Sequence, residues 1–217
     1  MGKVFSALAV SVDGYITGRG AGPGHGLGDG GILFDWYFSG DTPSREFDGF
    51  RLSQASARVF DETAARVGAV VVGRNTFEDS EHFGGGSPHP NAPLVLLSHR
   101  PAEVSDRQRL VTTGVADAIA AARELAGGKD GKDGKDSKDG KDGKDGKSGK
   151  DIGLMGGGVV TAALKEGLVD ELILHQVPVL LGGGRPFFQE LPQHIRLTLV
   201  EAVPAPGVTH LRYEVQK

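Results

Sequence analysis

Three successive glycines, Gly156, Gly157 and Gly158, stand between the apolar run IGLM and the Ala/Leu-rich segment VVTAALKEGL. A short strand that enters a helix this way presents free backbone N–H groups and the positive end of the helix dipole at one point. Such a point suits an anion, most often a phosphate. A plain strand-to-helix turn would carry the same residues. The stricter dinucleotide pattern G-x-G-x-x-G is not met from Gly156, because Thr161 stands where the last glycine belongs. Other apolar runs also end in groups with chemistry: AVVVG is followed by RNTFED, PLVLL by SHR, and the first run by the glycine-rich DGYITGRGAGPGHGLGDGG. Cations, donors and bare backbone at several strand ends together match a phosphorylated ligand.

Other chemistries find little support. The seven histidines show no H-x-x-x-H spacing with a carboxylate partner, so no metal site is expected. The chain has no cysteine, which removes thiolate ligands, disulfides and a cysteine nucleophile and fits a reducing cytosol. Ser87 in GGSPH lacks the second glycine of a nucleophile elbow. A formal net charge of −4 gives no electrostatic reason to expect nucleic acid. No apolar run approaches the ~20 residues of a membrane helix, and the N-terminal VFSALAVSV reads as a first strand, not a signal peptide.

The elements that must position these groups alternate. VFSALAVSV, AVVVG, PLVLLS, IGLM and ELILHQVPVLL are apolar runs of the kind seen in strands buried on both faces. Between them, SREFDGFRLSQASARVFDETAARV, VADAIAAARELAG and VVTAALKEGL read as helices. Alternating strands and helices imply crossover connections and a mostly parallel sheet, and ligands bind outside the carboxyl ends of such strands. The C-terminal IRLTLVEAVPAPGVTHLRYEVQK has two alternating runs around PAPG and predicts an antiparallel pair at one edge. The three-residue Lys-Gly-Asp repeat over 128–151 is expected to be a flexible, solvated insertion in a single domain spanning 1–217. Its GKS at Gly146 is no P-loop, since Lys141 stands where that motif needs glycine.

SVDGYITG, GAVVVGRNTFE, LVLLSHR, IGLMGGG and VDELILHQVPVLLGGGRPFF, in this order, resemble the dihydrofolate-reductase-like superfamily. The closer likeness is to its bacterial branch named for the reductase domain of the riboflavin-biosynthesis deaminase-reductase. The resemblance implies an α/β, dihydrofolate-reductase-like three-layer fold: a mostly parallel mixed sheet, helices on both faces and a C-terminal antiparallel hairpin. It implies an NADPH-dependent reductase acting on a small heterocycle such as a pterin or pyrimidine, in the cytoplasm, with a homodimer as an expectation. It further implies that Gly73, Arg74, Asn75 and Thr76 lie against the cofactor phosphates. Ser98, His99 and Arg100 would cradle the 2′-phosphate, and Gly156, Gly157, Gly158 and Val159 would hold the pyrophosphate and nicotinamide side.

Trp36 and Asp41, in DWYFSGD, resemble the tryptophan and pterin-binding carboxylate of the folate reductases, although SGDTPS is equally a helix-start sequence with Asp41 or Thr42 as cap. The resemblance places Asp13 near the nicotinamide, where a turn-forming Asp-Gly is the alternative, and Arg185 near an anionic group of the substrate. A nucleotide-binding protein without efficient catalysis, or a flavin or quinone reductase with a flat pocket around Trp36, are the competing readings.

Overall fold

The structure, a computed structural model, describes residues 2–127 and 150–217. Except for Lys150 and Asp151, the Lys-Gly-Asp repeat, expected to be a flexible loop, lies outside the described residues.

The strands are β1 (Val4–Ser11), β2 (Thr42–Pro43), β3 (Arg51–Leu52), β4 (Val67–Gly73), β5 (Leu94–Leu97), β6 (Gln108–Val111), β7 (Asp151–Met155), β8 (Glu171–Val177), β9 (Leu197–Ala205) and β10 (Val208–Val215). The helices are α1 (Gln54–Ala65), α2 (Arg74–Asp79), α3 (Val115–Gly127) and α4 (Gly157–Lys165). Eight strands form one sheet in the order β6-β5-β4-β7-β1-β8-β10-β9. The six from β6 to β8 run parallel, and β10 and β9 add the antiparallel edge. This is an α/β fold with a mostly parallel sheet, as the alternating pattern and the superfamily likeness predict.

The strands read as continuous apolar runs because both faces are covered. Along β1, Val4 and Val10 join a core with α3 and α4, while Phe5 and Ala9 point to the opposite face. On that second face Phe77 of α2 seals the β4–β5 end. Leu33 and Trp36, from a 3-10 segment at Gly28–Phe38, pack with Ala57 of α1 under β8 and β10. Within this second core lies a polar thread. The Nδ1 atoms of His175 and His210 share a hydrogen bond of 2.8 Å, and His210 Nε2 is 3.0 Å from Ser56 Oγ. Both histidines are buried, and the Trp36 ring lies 5.0 and 5.1 Å from theirs.

Two local expectations differ from the structure, and an edge strand was not expected. The helix expected over 44–67 begins only at Gln54, where Ser53 Oγ accepts the N–H of Ser56 at 3.2 Å. Upstream, Ser44 Oγ takes the N–H groups of Glu46 and Phe47 and donates to Asp61, so side-chain bonds hold a turn in place of helical ones. The strand expected through Leu181 stops at Val177, before Pro178, which has no N–H to give a sheet ladder. The edge strand β6, QRLV, has too few apolar residues to stand out by pattern.

Candidate active site

A cleft of about 1080 Å³ opens at the carboxyl ends of β4, β5 and β7, beside β1. That is at or above the ~300–1,000 Å³ typical of ligand pockets.

At the end of β4, Gly73 leads into α2, and Gly73, Arg74, Asn75 and Thr76 all line the cleft. Arg74 is also a brace. Its Nε donates to Glu78 at 2.7 Å, and one Nη donates to Ser98 Oγ at 3.0 Å and to the carbonyls of Arg100 and Pro101 at 3.3 and 3.0 Å. Ser98, at the end of β5, is buried. Its Oγ donates to the Arg100 carbonyl at 2.7 Å and accepts the Arg100 N–H at 3.2 Å, closing the Ser-His-Arg turn on itself. The side chains of His99 and Arg100 are exposed on the cleft wall and have no ion-pair or hydrogen-bond partner among the described residues. Arg100 is thus a cation, and His99 a ring N–H donor, available to an incoming anion, with Arg74 holding the turn that carries them.

At the end of β7, Gly156 adopts φ +107° and opens α4. A Cβ there would overlap Thr76 Oγ1, and one on Gly157 would lie 2.5 Å from the Pro186 carbonyl oxygen. The first two glycines are therefore required by the meshing of three loops. Gly158 is not: a Cβ there meets Gln189 Nε2 at an ordinary 3.8 Å. Among the described residues no side chain caps α4, so the N–H groups of its first turn lie at the cleft without an intrahelical acceptor.

Asp13, Asp41 and Trp36 do not line the cleft. The Asp13 carboxylate takes hydrogen bonds from Ser11 Oγ at 2.6 Å and from the N–H groups of Leu181 and Gly182 at 3.1 and 2.7 Å. The Ser11 bond above all holds it below the usual carboxylate range. It ties the exit of β1 to the second glycine loop. Asp41 is exposed just before β2, where its carbonyl accepts from Arg51 Nη1 at 3.5 Å. Trp36 is 1 % exposed and stacks on Tyr37 at 4.0 Å in the second core. The W-x4-D spacing thus places its aromatic in the interior and its acid in solvent.

Arg185 does line the cleft, but not as a free cation. Its guanidinium is paired with both carboxylate oxygens of Asp79, and its backbone N–H donates to Thr17 Oγ1 at 3.0 Å. Asp79, the one carboxylate among the described residues that line the cleft, escaped the sequence reading. A signal existed: it lies three residues after Thr76, on the same helical face, one turn beyond the G-R-N-T element. Phe83 was missed as well. It lines the cleft from a 3-10 turn at Glu81–Gly85 in which Glu81, His82 and Phe83 all have positive φ, the only non-glycine residues among those described that do. Gln108 Nε2 pins that turn by donating to the carbonyls of His82 and Gly86 at 2.9 and 2.7 Å.

The family model for the RibD C-terminal domain matches residues 145–211. No curated protein matches the chain by sequence. Among solved structures, a protein from Shewanella sp. PV-4 assigned to riboflavin biosynthesis is 25% identical with a TM-score of 0.66, each chain covered fully. Dihydrofolate reductase from Enterococcus faecalis complexed with NADP(H) is 16% identical with a TM-score of 0.56, over 99% of this chain and 97% of that one. RibD of Acinetobacter baumannii is 16% identical with a TM-score of 0.54, and the match spans 58% of its chain. The chain therefore resembles the RibD C-terminal domain family over residues 145–211 and has the dihydrofolate-reductase-like fold over its described residues.

Proposed function

We propose that the protein is an NADPH-dependent reductase of a small heterocyclic molecule. One observation carries this reading: a single cleft joins the Arg100 guanidinium and the His99 ring, partner-free among the described residues, to a start of α4 that no described side chain caps. A 2′-phosphate wants cations and a pyrophosphate wants N–H groups at a helix start, so these residues fit such a nucleotide. When bound, it would supply a hydride. The protein's own part is to hold that nucleotide on the β5–β7 wall, to orient a second ligand beside Arg185 and Asp79, and to exclude water through the apolar walls at Ile16, Leu27 and Phe34. In this reading the partner is a small molecule, with neither nucleic acid nor membrane involved, and the enzyme works in the cytoplasm as a homodimer.

A second reading, nucleotide binding without efficient turnover, draws on the absence of Asp13 and Asp41 from the cleft lining and on the pairing of Asp79. If turnover occurs, the proton comes from solvent or from the substrate's own tautomer, with no unpaired carboxylate lining the cleft among the described residues.

Titration of the purified protein with NADPH and NADH, followed by nicotinamide fluorescence, tests the proposal with Arg100→Ala and Gly158→Asp alongside. Gly158 is chosen because its site has space for a side chain. Preferential NADPH binding that weakens at least tenfold in both variants is the expected result. Equal binding of both nucleotides, or of neither, overturns it.

A further inference from the structure

Residues 98–107 join β5 to β6, and this connection is held at both ends. At its start Arg74 donates to Ser98 Oγ and to the carbonyls of Arg100 and Pro101. At its end Ser105 Oγ donates to the Gly85 carbonyl at 2.7 Å, and Gln108, the first residue of β6, takes the Ser105 N–H on Oε1 at 3.2 Å. Through Nε2 the same Gln108 donates to the carbonyls of His82 and Gly86. Between the two ends, Ala102 and Val104 pack with Phe83 on the core that contains Phe77. The connection is a strap, fastened to the first residue of α2 and to the turn that follows α2.

The turn it fastens is strained. Five successive residues, Glu81 to Gly85, have φ between +49° and +78°, and three of them carry side chains, for which this region is disfavoured. The backbone of the turn supplies two hydrogen bonds, from Phe83 N–H to the Ser80 carbonyl and from Gly86 N–H to the Phe83 carbonyl, both 2.9 Å. Gln108 and Ser105 supply three more from outside, and His82 stacks on Phe77 at 4.5 Å. A disfavoured backbone held by bonds from another segment relaxes when those bonds let go, so the turn has a held and a released arrangement. Release would move Phe83, which lines the cleft; Gln108 is buried and does not line it.

Resting on the nucleotide reading, we propose that the strap couples the anion site to the position of Phe83, with Gln108 as the positioning residue through which it acts. An anion seated at Arg100 fixes the start of the strap and removes conformations in which its far end lets go of the turn, so the held arrangement of Phe83 gains population.

Hydrogen exchange at the Phe83 and Gly86 amides, read in the full chain with and without adenosine 2′,5′-bisphosphate, tests this. The probe carries a 2′-phosphate and no nicotinamide, so protection of the turn cannot come from a nicotinamide lying against Phe83. With the probe saturating by calorimetric titration, wild type is expected to exchange at least about threefold more slowly at both amides. Gln108→Met, similar in size but without a donor, is expected to exchange faster than wild type and to gain less than about 1.5-fold from the probe. In that background Glu81→Gly is expected to slow exchange again, because glycine takes a positive φ freely; a packing loss at Gln108 would not be rescued from this exposed position. Ser105→Ala, which removes the bond to Gly85 and leaves Gln108 in place, is expected to act in the same direction by a smaller factor, and it decides the matter should Gln108→Met melt early in circular dichroism. Bound probe without protection in wild type, or equal protection in wild type and Gln108→Met, overturns the inference and leaves the nucleotide reading standing. A probe that does not bind overturns the inference as well, and NADPH titration of the same protein then decides the nucleotide reading separately.

Discussion

Acidification should destabilise this fold well above the pH at which carboxylates titrate, through the His175–His210 pair. Burial holds His175 down to about 3 and His210 down to about 4, against an ordinary value of 6.5. Each also suffers from charge: His175 from its partner, and His210 from Arg58, with Glu201 acting in the opposite sense. A group whose folded value is depressed stays neutral in the native state while the unfolded chain takes up the proton. The stability it contributes is complete above about pH 6.5 and is lost as pH falls toward 4. From pH 7.5 to 5.5 each histidine costs about 1.4 kcal/mol, and the two together about 3 kcal/mol, from a native stability of roughly 5–15 kcal/mol. His89, lowered by burial, acts in the same direction. Asp13, Asp170 and Glu171 lie below the usual carboxylate range in the folded chain, so their stabilising effect is lost only at lower pH and leaves this window to histidine. Urea unfolding followed by the fluorescence of the single tryptophan, Trp36, between pH 7.5 and 5.5 measures the slope. With a urea dependence of ~2–3 kcal/mol per molar, the midpoint should fall by about 1 M or slightly more. A loss below about 1 kcal/mol, or the same slope in His175→Gln/His210→Gln, would refute the reasoning whatever the absolute stability of the double variant.

The two glycines that open α4 should part company on substitution. Gly156→Ala, which combines a positive φ with an overlap on Thr76, should lower stability by ~2–4 kcal/mol, while Gly158→Ala should stay within about 1 kcal/mol of wild type, both read by thermal melting. Ser98→Ala should cost ~1–2 kcal/mol and weaken NADPH, since the Ser-His-Arg turn loses its closing bonds; an unaltered nucleotide affinity would separate Ser98 from the anion site. Gln108→Ala should release the left-handed turn, seen as faster limited proteolysis within 81–86 and as faster amide exchange there than in wild type, with exchange in the sheet unchanged.

The parallel sheet was legible because covering both faces of a strand leaves a signature in every residue, as in LVLL of β5 and the VGAVVVG of β4. The β4, β5 and β7 wall of the cleft was legible for a related reason: glycines and arginines at strand ends are local features, and strand order brings strand ends together. The end beside Arg185 was not. Asp79, Thr17 and Phe83 come from three separate segments whose meeting depends on loop paths, and only Asp79 carried a periodic hint. Trp36 and Asp41 show the opposite error, a spacing that matched while the segment between them wound as a 3-10 turn and buried the ring. The buried histidine pair was invisible because His175 and His210 pair only through the antiparallel register of β8 and β10.

The contact of Gly157 with the carbonyls of Pro186 and Phe187 has a mechanical consequence. Arg185 precedes those carbonyls directly in the chain, so the side chain that lines one end of the cleft and the backbone close to the first turn of α4 belong to one segment. In the proposed reading, a heterocycle beside Arg185 and a nucleotide on α4 would meet that same segment, and any coupling between them would be reciprocal and independent of the order in which the two arrive.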